Sequence, residues 1–257
     1  MDAFETMRLF AAEARHAVAE VRRIGSLASI LREIPAATTM FVDSFSVQSL
    51  AEKAQCTDGQ PVIFMTGFFA KFDYYLRLAV FLHTHNTRLI IPHELGRNTL
   101  SWKQSHIVLS DTIKEVEDET GVVPGLIGHS KGGTDIAGIL GEHPEIKKAI
   151  LVSAPLRGSS LRALNLFLSW VHSDLGYPID EDVLTDPEIL SKLTVIVSDH
   201  DNVVPPHEAM IEGAGKTIKV QTNTGWLDPW WHSHTGLPYY AREAILKSLQ
   251  EQSAAIH

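Results

Sequence analysis

After about residue 39, the chain alternates short apolar runs with segments whose apolar positions recur at helical spacing. Short apolar runs are typical of buried strands, and the segments between them are typical of crossover helices. The runs lie at 62–65, 88–91, 125–127, 149–153, 194–198 and 218–221, with a further candidate first strand at 40–47. This alternation predicts an α/β fold with a mostly parallel sheet that is flanked by helices.

Three of the intervening segments carry a clear helical stripe. Residues three or four apart lie on one face of a helix, so each stripe predicts a face that packs on the sheet. The stripes are Leu109, Ile113 and Val116; Ile136, Ile139 and Leu140; and Ala241, Ile245 and Leu249. Without an internal repeat or a low-complexity linker, residues 40–257 are expected to form one domain.

Residues 1–39 are predicted to form a helical extension ahead of that domain, because apolar positions recur at helical multiples over 2–33. Its apolar stripe is expected to pack on the domain's own core or to join two copies in a homo-oligomer. Acidic residues such as Glu5 and Glu13 interrupt its basic ones. This helix therefore lacks the positive face of a membrane-surface helix, and membrane attachment is not expected.

Charge and cysteine content narrow the function classes. The 257 residues include 22 basic and 31 acidic side chains, a net charge of −9 without a basic cluster, which argues against a nucleic-acid partner. The single cysteine, Cys56, cannot form an internal disulfide. Because neither a secretion leader nor an apolar run of about 20 residues is found, we expect a cytoplasmic protein.

The strongest chemical signal is the segment Gly128-His129-Ser130-Lys131-Gly132-Gly133, between an apolar run and a helical pattern. A serine at such a strand-to-helix turn needs a strained backbone, and small flanking residues allow the strand and helix to approach. The turn exposes the hydroxyl beside the N-terminus of the next helix, where amides stabilise negative charge. Ser130 is thus the candidate nucleophile. We expect His129 to pack beneath the turn and the Lys131 ammonium to be solvated.

With this motif, the chain resembles the α/β hydrolase superfamily and, within it, the esterase and lipase branch. The resemblance covers roughly residues 40–250. Residues 62–69 resemble the family's first oxyanion loop, with Thr66-Gly67 where the family usually has His-Gly. The resemblance implies that the backbone amides of Phe68 and Lys131 hold the oxyanion. Residues 95–98 resemble a further loop of lipase-like members, without an assigned role.

The family's chain order of serine, acid and histidine places both remaining triad members after Ser130. Asp201 precedes a Val-Pro pair as the family's acid does and is preferred to Asp199. The alternative is that Asp201 only caps the helix starting near residue 205. His234, in the loop after the last strand, is the expected base, with His232 in reserve.

The resemblance implies cleavage of a small-molecule carboxylic ester of short to medium acyl chain, or of a lipid, through an acyl-enzyme intermediate. This chemistry requires neither an organic cofactor nor a metal. A small lid is expected at about 159–190, because positions 164–171 are unusually apolar, and nearby aromatics suggest a hydrophobic acyl pocket. An acyltransferase, a perhydrolase or a noncatalytic binding protein could share this scaffold.

Overall fold

The computed structural model describes residues 59–68, 70, 72–157, 183–199, 201, 204–220 and 239–254. Within these ranges it contains a six-stranded sheet. The strands are β1 Gln60–Met65, β2 Thr87–Ile90, β3 Gly125–His129, β4 Ala149–Val152, β5 Leu193–Ser198 and β6 Lys216–Val220. They confirm the six runs predicted for this part of the chain, with end points that differ by a few residues. The predicted strand at 40–47 lies outside the described residues.

Six α-helices follow the strands in the described part of the chain. They are α1 Leu76–His83, α2 Trp102–Thr120, α3 Lys131–Ile139, α4 Pro187–Ser191, α5 Pro206–Ala209 and α6 Tyr239–Ala254, with short 3-10 turns at Phe72–Tyr75 and His93–Leu95. Ser101 and Gln104 start α2 with a reciprocal capping box, and Gly121 ends it in the left-handed conformation. None of these helices is both long and apolar enough to cross a bilayer.

Helices cover both faces of the sheet, as the near-continuous apolar strands require. Successive side chains of a strand point to opposite faces, so Ile63 and Met65 join one core while Val62 and Phe64 join the other. The first core includes the buried faces of α2, α3 and α4, and the second includes those of α1 and α6. The predicted helical stripes pack in these two cores, which confirms the predicted fold class.

Strand order decides where a site can form. All five neighbouring pairs are parallel, and the order across the sheet is β2-β1-β3-β4-β5-β6. From β1 the chain adds β2 on one side and then returns to add β3 on the other. The loops leaving β1 and β3 therefore diverge at the carboxyl edge, and such a topological switch point is where open parallel sheets bind ligands.

The proposed helical extension at 1–39 and most of the proposed lid, residues 159–182, lie outside the described residues. The described end of the lid range, 183–190, contacts the domain core. Ile189 and Leu190 are buried there, and Val183 and Leu184 pack against the same core. Asp186 caps α4 by accepting a hydrogen bond from the Glu188 amide at 2.8 Å.

Candidate active site

Ser130 lies in a strained turn between β3 and α3. Its φ of 53° and ψ of −123° are values that non-glycine residues rarely adopt. The turn is held from both sides, because the Ser130 N–H donates to the Val152 carbonyl at 2.9 Å and its carbonyl accepts from the Gly133 amide at 2.9 Å. Ser130 is partly exposed at the carboxyl edge of the sheet. This is the geometry that the motif predicts.

The glycines around Ser130 permit backbone contacts that a larger residue would block. A Cβ on Gly128 would stand 2.5 Å from the Gly132 carbonyl oxygen, so strand and helix meet without space for a side chain. A Cβ on Gly132 would overlap the carbonyl oxygen of Met65 at the end of β1. The turn at Ser130 thus packs directly on the loop that leaves β1.

That loop carries Thr66, Gly67 and Phe68 across the switch point from Ser130. Gly67 is so close that a Cβ on it would lie 3.4 Å from the Ser130 Cβ and 3.0 Å from His129 Nδ1. The Gly67 carbonyl accepts from the Ala70 amide at 3.1 Å, which closes a tight turn around Phe68. The Lys131 amide is the first of α3 and belongs to the amides that have no carbonyl within their own helix.

His129 is buried beneath the turn, as expected, with 6% of its surface exposed. Its Nδ1 lies 2.8 Å from the Tyr75 hydroxyl oxygen, which also accepts from the Gly67 amide at 3.1 Å. Burial raises the pKa of the Tyr75 phenol well above its ordinary value, so the hydroxyl keeps its proton at neutral pH. Tyr75 carries no local sequence signal for this role, because the fold alone brings it to the loop.

The expectation of a solvated Lys131 ammonium is wrong. Its side chain is 11% exposed, and Nζ donates to Asn98 Oδ1 at 2.9 Å, Ser105 Oγ at 3.0 Å and Asp135 Oδ2 at 2.7 Å. Because α3 packs against α2, the Lys131 side chain is close to Ser105 on α2 and to Asn98 in the loop before it, and both supply partners. The ammonium is thus held in the structure and is not presented to an anionic substrate group.

Asp135 is the buried partner of that ammonium. Burial raises the pKa of its carboxyl above the ordinary value, while Lys131 and the hydrogen bonds from Asn98 and Ser105 oppose the rise. Asn98, which stands at a φ of 50°, also donates from Nδ2 to the Thr66 carbonyl. The 95–98 loop, unassigned from sequence, therefore links the first turn of α3 to the loop after β1.

Asp201 follows β5, and its side chain is buried, with 4% of the residue exposed. Its Oδ1 accepts from the Val204 amide at 2.8 Å, and its own N–H donates to the Ser198 carbonyl at 3.2 Å. Asp199, by contrast, is exposed. The helix after this loop begins at Pro206 with Pro205 as its cap, so Asp201 is not the N-cap residue.

Asp201 and Ser130 leave strands that are separated by β4 alone. Two strand spacings of ~4.8 Å set their strand ends ~10 Å apart, a gap that one imidazole and its two hydrogen bonds can bridge. Both histidine candidates, His232 and His234, lie outside the described residues. Among the residues that are described, His, Cys, Asp and Glu side chains form no cluster of three suited to a metal ion.

A second serine, Ser110, stands at the end of a serine–histidine–carboxylate series of hydrogen-bond contacts. Its Oγ lies 2.8 Å from His143 Nε2, and His143 Nδ1 lies 2.6 Å from Glu145 Oε1. Burial alone would raise the pKa of Glu145, but the hydrogen bond from His143 and weaker charges nearby lower it. Ser110 lies mid-way along α2, where backbone amides bond to carbonyls four residues earlier. Ser110 therefore lacks a neighbouring amide without a helical partner, of the kind that Lys131 provides at the start of α3.

Neither a family model nor a curated protein matches the sequence. Solved structures do match. The mature lipase BlEst2 of Bacillus licheniformis is similar with a TM-score of 0.55 and 14% identity over 74% of this chain and 93% of that chain. A structure reported for carboxylesterases of the thaumarchaeon Nitrososphaera gargenis has a TM-score of 0.55 and 13% identity, over 79% of this chain and 93% of that chain. Est1E from Butyrivibrio proteoclasticus has a TM-score of 0.52 and 14% identity, over 78% of this chain and 90% of that chain. At these identities the likeness establishes the fold, that of the α/β hydrolases.

Proposed function

We propose that this protein, which has the α/β hydrolase fold, is a serine hydrolase that cleaves carboxylic esters through an acyl-enzyme intermediate on Ser130. The observation that carries the proposal is the strained backbone of Ser130, at a φ of 53°, at the switch point of the sheet and against the loop after β1. Strain of this kind costs roughly 1–3 kcal/mol and persists where the surrounding structure imposes it, commonly at functional sites. Named lipases and carboxylesterases among the structural neighbours agree with this proposal.

In the proposed reaction, His234 removes the Ser130 proton as Oγ bonds to the ester carbonyl carbon. The carbonyl oxygen becomes an oxyanion that the Phe68 and Lys131 amides stabilise. The intermediate then collapses, the bond to the alcohol oxygen breaks, and the imidazolium returns the proton to the leaving alcohol. Water attacks the acyl-enzyme through the same base, releasing the acid and restoring Ser130.

Asp201 is the proposed partner of His234, which it would hold in the tautomer that accepts the serine proton. The burial of Asp201 and the amide that fixes its Oδ1 support this role, since a fixed carboxylate orients an imidazole better than the exposed Asp199 could. Asp201→Asn should lower kcat by about four orders of magnitude. Asp199→Asn should change it less than about threefold.

Labelling by a fluorophosphonate probe tests the nucleophile. Wild type and Ser110→Ala should label equally, and Ser130→Ala should not label although it stays folded. Ser110→Ala is the matched control, because this serine also contacts a histidine that contacts a carboxylate. Absence of labelling in folded wild type would exclude a serine hydrolase and favour a noncatalytic binding protein. Labelling that survives Ser130→Ala would exclude Ser130 as the nucleophile.

Two further comparisons refine the proposal. His234→Ala should abolish ester cleavage while His232→Ala retains most of it, and the reverse result would exchange their roles. We propose short to medium acyl esters as substrates, and a panel of 4-nitrophenyl esters from C2 to C16 should peak below about C10. Acyl transfer to an added alcohol, amine or peroxide would identify an acceptor other than water.

A further inference from the structure

The peptide group between Thr66 and Gly67 is hydrogen-bonded at both of its ends by buried side chains. Its carbonyl accepts from Asn98 Nδ2, and its N–H donates to the Tyr75 hydroxyl at 3.1 Å. Asn98 is fully buried and Tyr75 is 3% exposed. Since a peptide group is planar, fixing the directions of its C=O and N–H fixes its orientation.

Each of these side chains is in turn held by a neighbour of the nucleophile. Tyr75 contacts His129 Nδ1 at 2.8 Å, and Asn98 accepts from Lys131 Nζ at 2.9 Å. His129 and Lys131 are the residues directly before and after Ser130. The nucleophile turn and the loop after β1 are thus joined by two separate relays that meet at one peptide.

This peptide precedes the amide that would hold the oxyanion. Gly67 gives the loop freedom in φ and ψ, so the next peptide, which carries the Phe68 N–H, needs an external constraint. The bond from the Ala70 amide to the Gly67 carbonyl fixes one end of that next peptide. The two relays supply a further constraint from the other side of Gly67.

We propose that Tyr75 and Asn98 are positioning residues that clamp the Thr66–Gly67 peptide and thereby align the Phe68 amide with the oxyanion formed at Ser130. This inference rests on the proposed function. Loss of one oxyanion donor costs about 10²–10³ in kcat, so misalignment of one should cost a substantial part of that. An oxyanion exists only after attack, so kcat should fall while KM stays constant.

The experiment uses the full chain and 4-nitrophenyl butyrate. Tyr75→Phe removes the hydroxyl and keeps the ring. Asn98→Asp keeps the shape of the side chain, but its carboxylate cannot donate a hydrogen bond to the Thr66 carbonyl. Each should lower kcat about 10–100-fold. Matched controls are Tyr74→Phe and Asn86→Asp; Asn86 is exposed and stands at a φ of 59°. Both controls should stay within twofold of wild type.

A trifluoromethyl ketone inhibitor separates alignment from general damage, because its adduct with serine carries an oxyanion. Its inhibition constant should rise in each clamp variant by the same factor as kcat/KM falls. The double variant should lose no more than about 10³ in total, since both side chains act on one peptide. If Asn98→Asp does not fold, Asn98→Gly replaces it, because glycine accepts the positive φ and also lacks the donor.

Unchanged kcat in folded Tyr75→Phe and Asn98 variants would overturn the clamp, and so would a change confined to KM. A fall in kcat without a matching rise in the inhibition constant would also overturn it. These results differ from failure of the proposed function, in which wild type itself neither turns over the ester nor labels at Ser130.

Discussion

The buried pair of Lys131 and Asp135 allows a prediction about stability that does not depend on catalysis. Lys131→Met removes an ammonium that makes three hydrogen bonds and leaves Asp135, whose side chain is 2% exposed, without its counter-charge. Loss of one partner of a buried pair costs about 3–5 kcal/mol. Folded domains are stable by only about 5–15 kcal/mol, so the variant should lose a large share of its free energy of unfolding.

The stability lost in Lys131→Met should depend on pH, and the direction follows from the pKa of Asp135. The Asp135 pKa is already raised by burial, and loss of Lys131 should raise it further. A carboxyl whose folded pKa exceeds its unfolded pKa contributes stability that is present below the unfolded value of 3.8 and is lost as pH rises through the folded value. The variant should therefore become less stable, relative to wild type, by up to about 1.4 kcal/mol per pH unit across that window.

Urea unfolding of wild type, Lys131→Met and Lys131→Met/Asp135→Leu at several pH values between 5 and 8 measures these quantities. The double variant removes both charges, so it should recover most of the lost stability and lose the added pH dependence. A loss below about 1 kcal/mol in the single variant would refute the reasoning. A loss that is independent of pH, or a double variant that is worse than the single one, would also refute it.

Three further outcomes are expected. Gly132→Ala should fail to fold or melt far below wild type, because its Cβ would overlap the Met65 carbonyl, whereas Gly141→Ala, with its nearest contact at 3.7 Å, should melt within a few degrees of wild type. Ser101→Ala removes the capping box of α2 and should cost about 1 kcal/mol in urea unfolding. Burial lowers the pKa of His106, so stability should fall as pH decreases below the ordinary value of 6.5, and His106→Gln should reduce that slope in melts at pH 5.5 and 7.5.

Local pattern was enough to predict the sheet, because a strand buried on both faces must be apolar throughout. The runs at 62–65, 125–127 and 194–198 each lie wholly within an observed strand. End points were less well predicted. The run at 149–153 ends one residue earlier, since Ser153 turns away from the strand with a φ of 47°.

The candidate nucleophile was predictable because its sequence signal is contiguous: Gly128, Ser130 and Gly132 lie within five residues of chain. The contacts of the turn with the Val152 and Met65 carbonyls come from other strands and were not predictable. The Asp201 assignment is supported by its burial, but its role and those of the two histidines stay predictions.

Side-chain surroundings were not predictable. Lys131 follows a turn at a helix start, where a lysine is usually solvated, and only the packing of α3 against α2 buries its ammonium. Ser110 shows the converse, since nothing in its sequence marks it and the fold brings it to His143 and Glu145.

Local sequence pattern predicts the six described strands, the helices α2, α3 and α6 and the motif at Ser130, because each signal comes from residues close together in the chain. Strand order is a property of the tertiary fold, which makes β1 and β3 neighbours and so brings the Thr66–Gly67 peptide against the turn. Tyr75 and Asn98 lie 54 and 33 residues from their partners His129 and Lys131. Contacts over such separations depend on how the whole sheet is ordered, which no local pattern encodes.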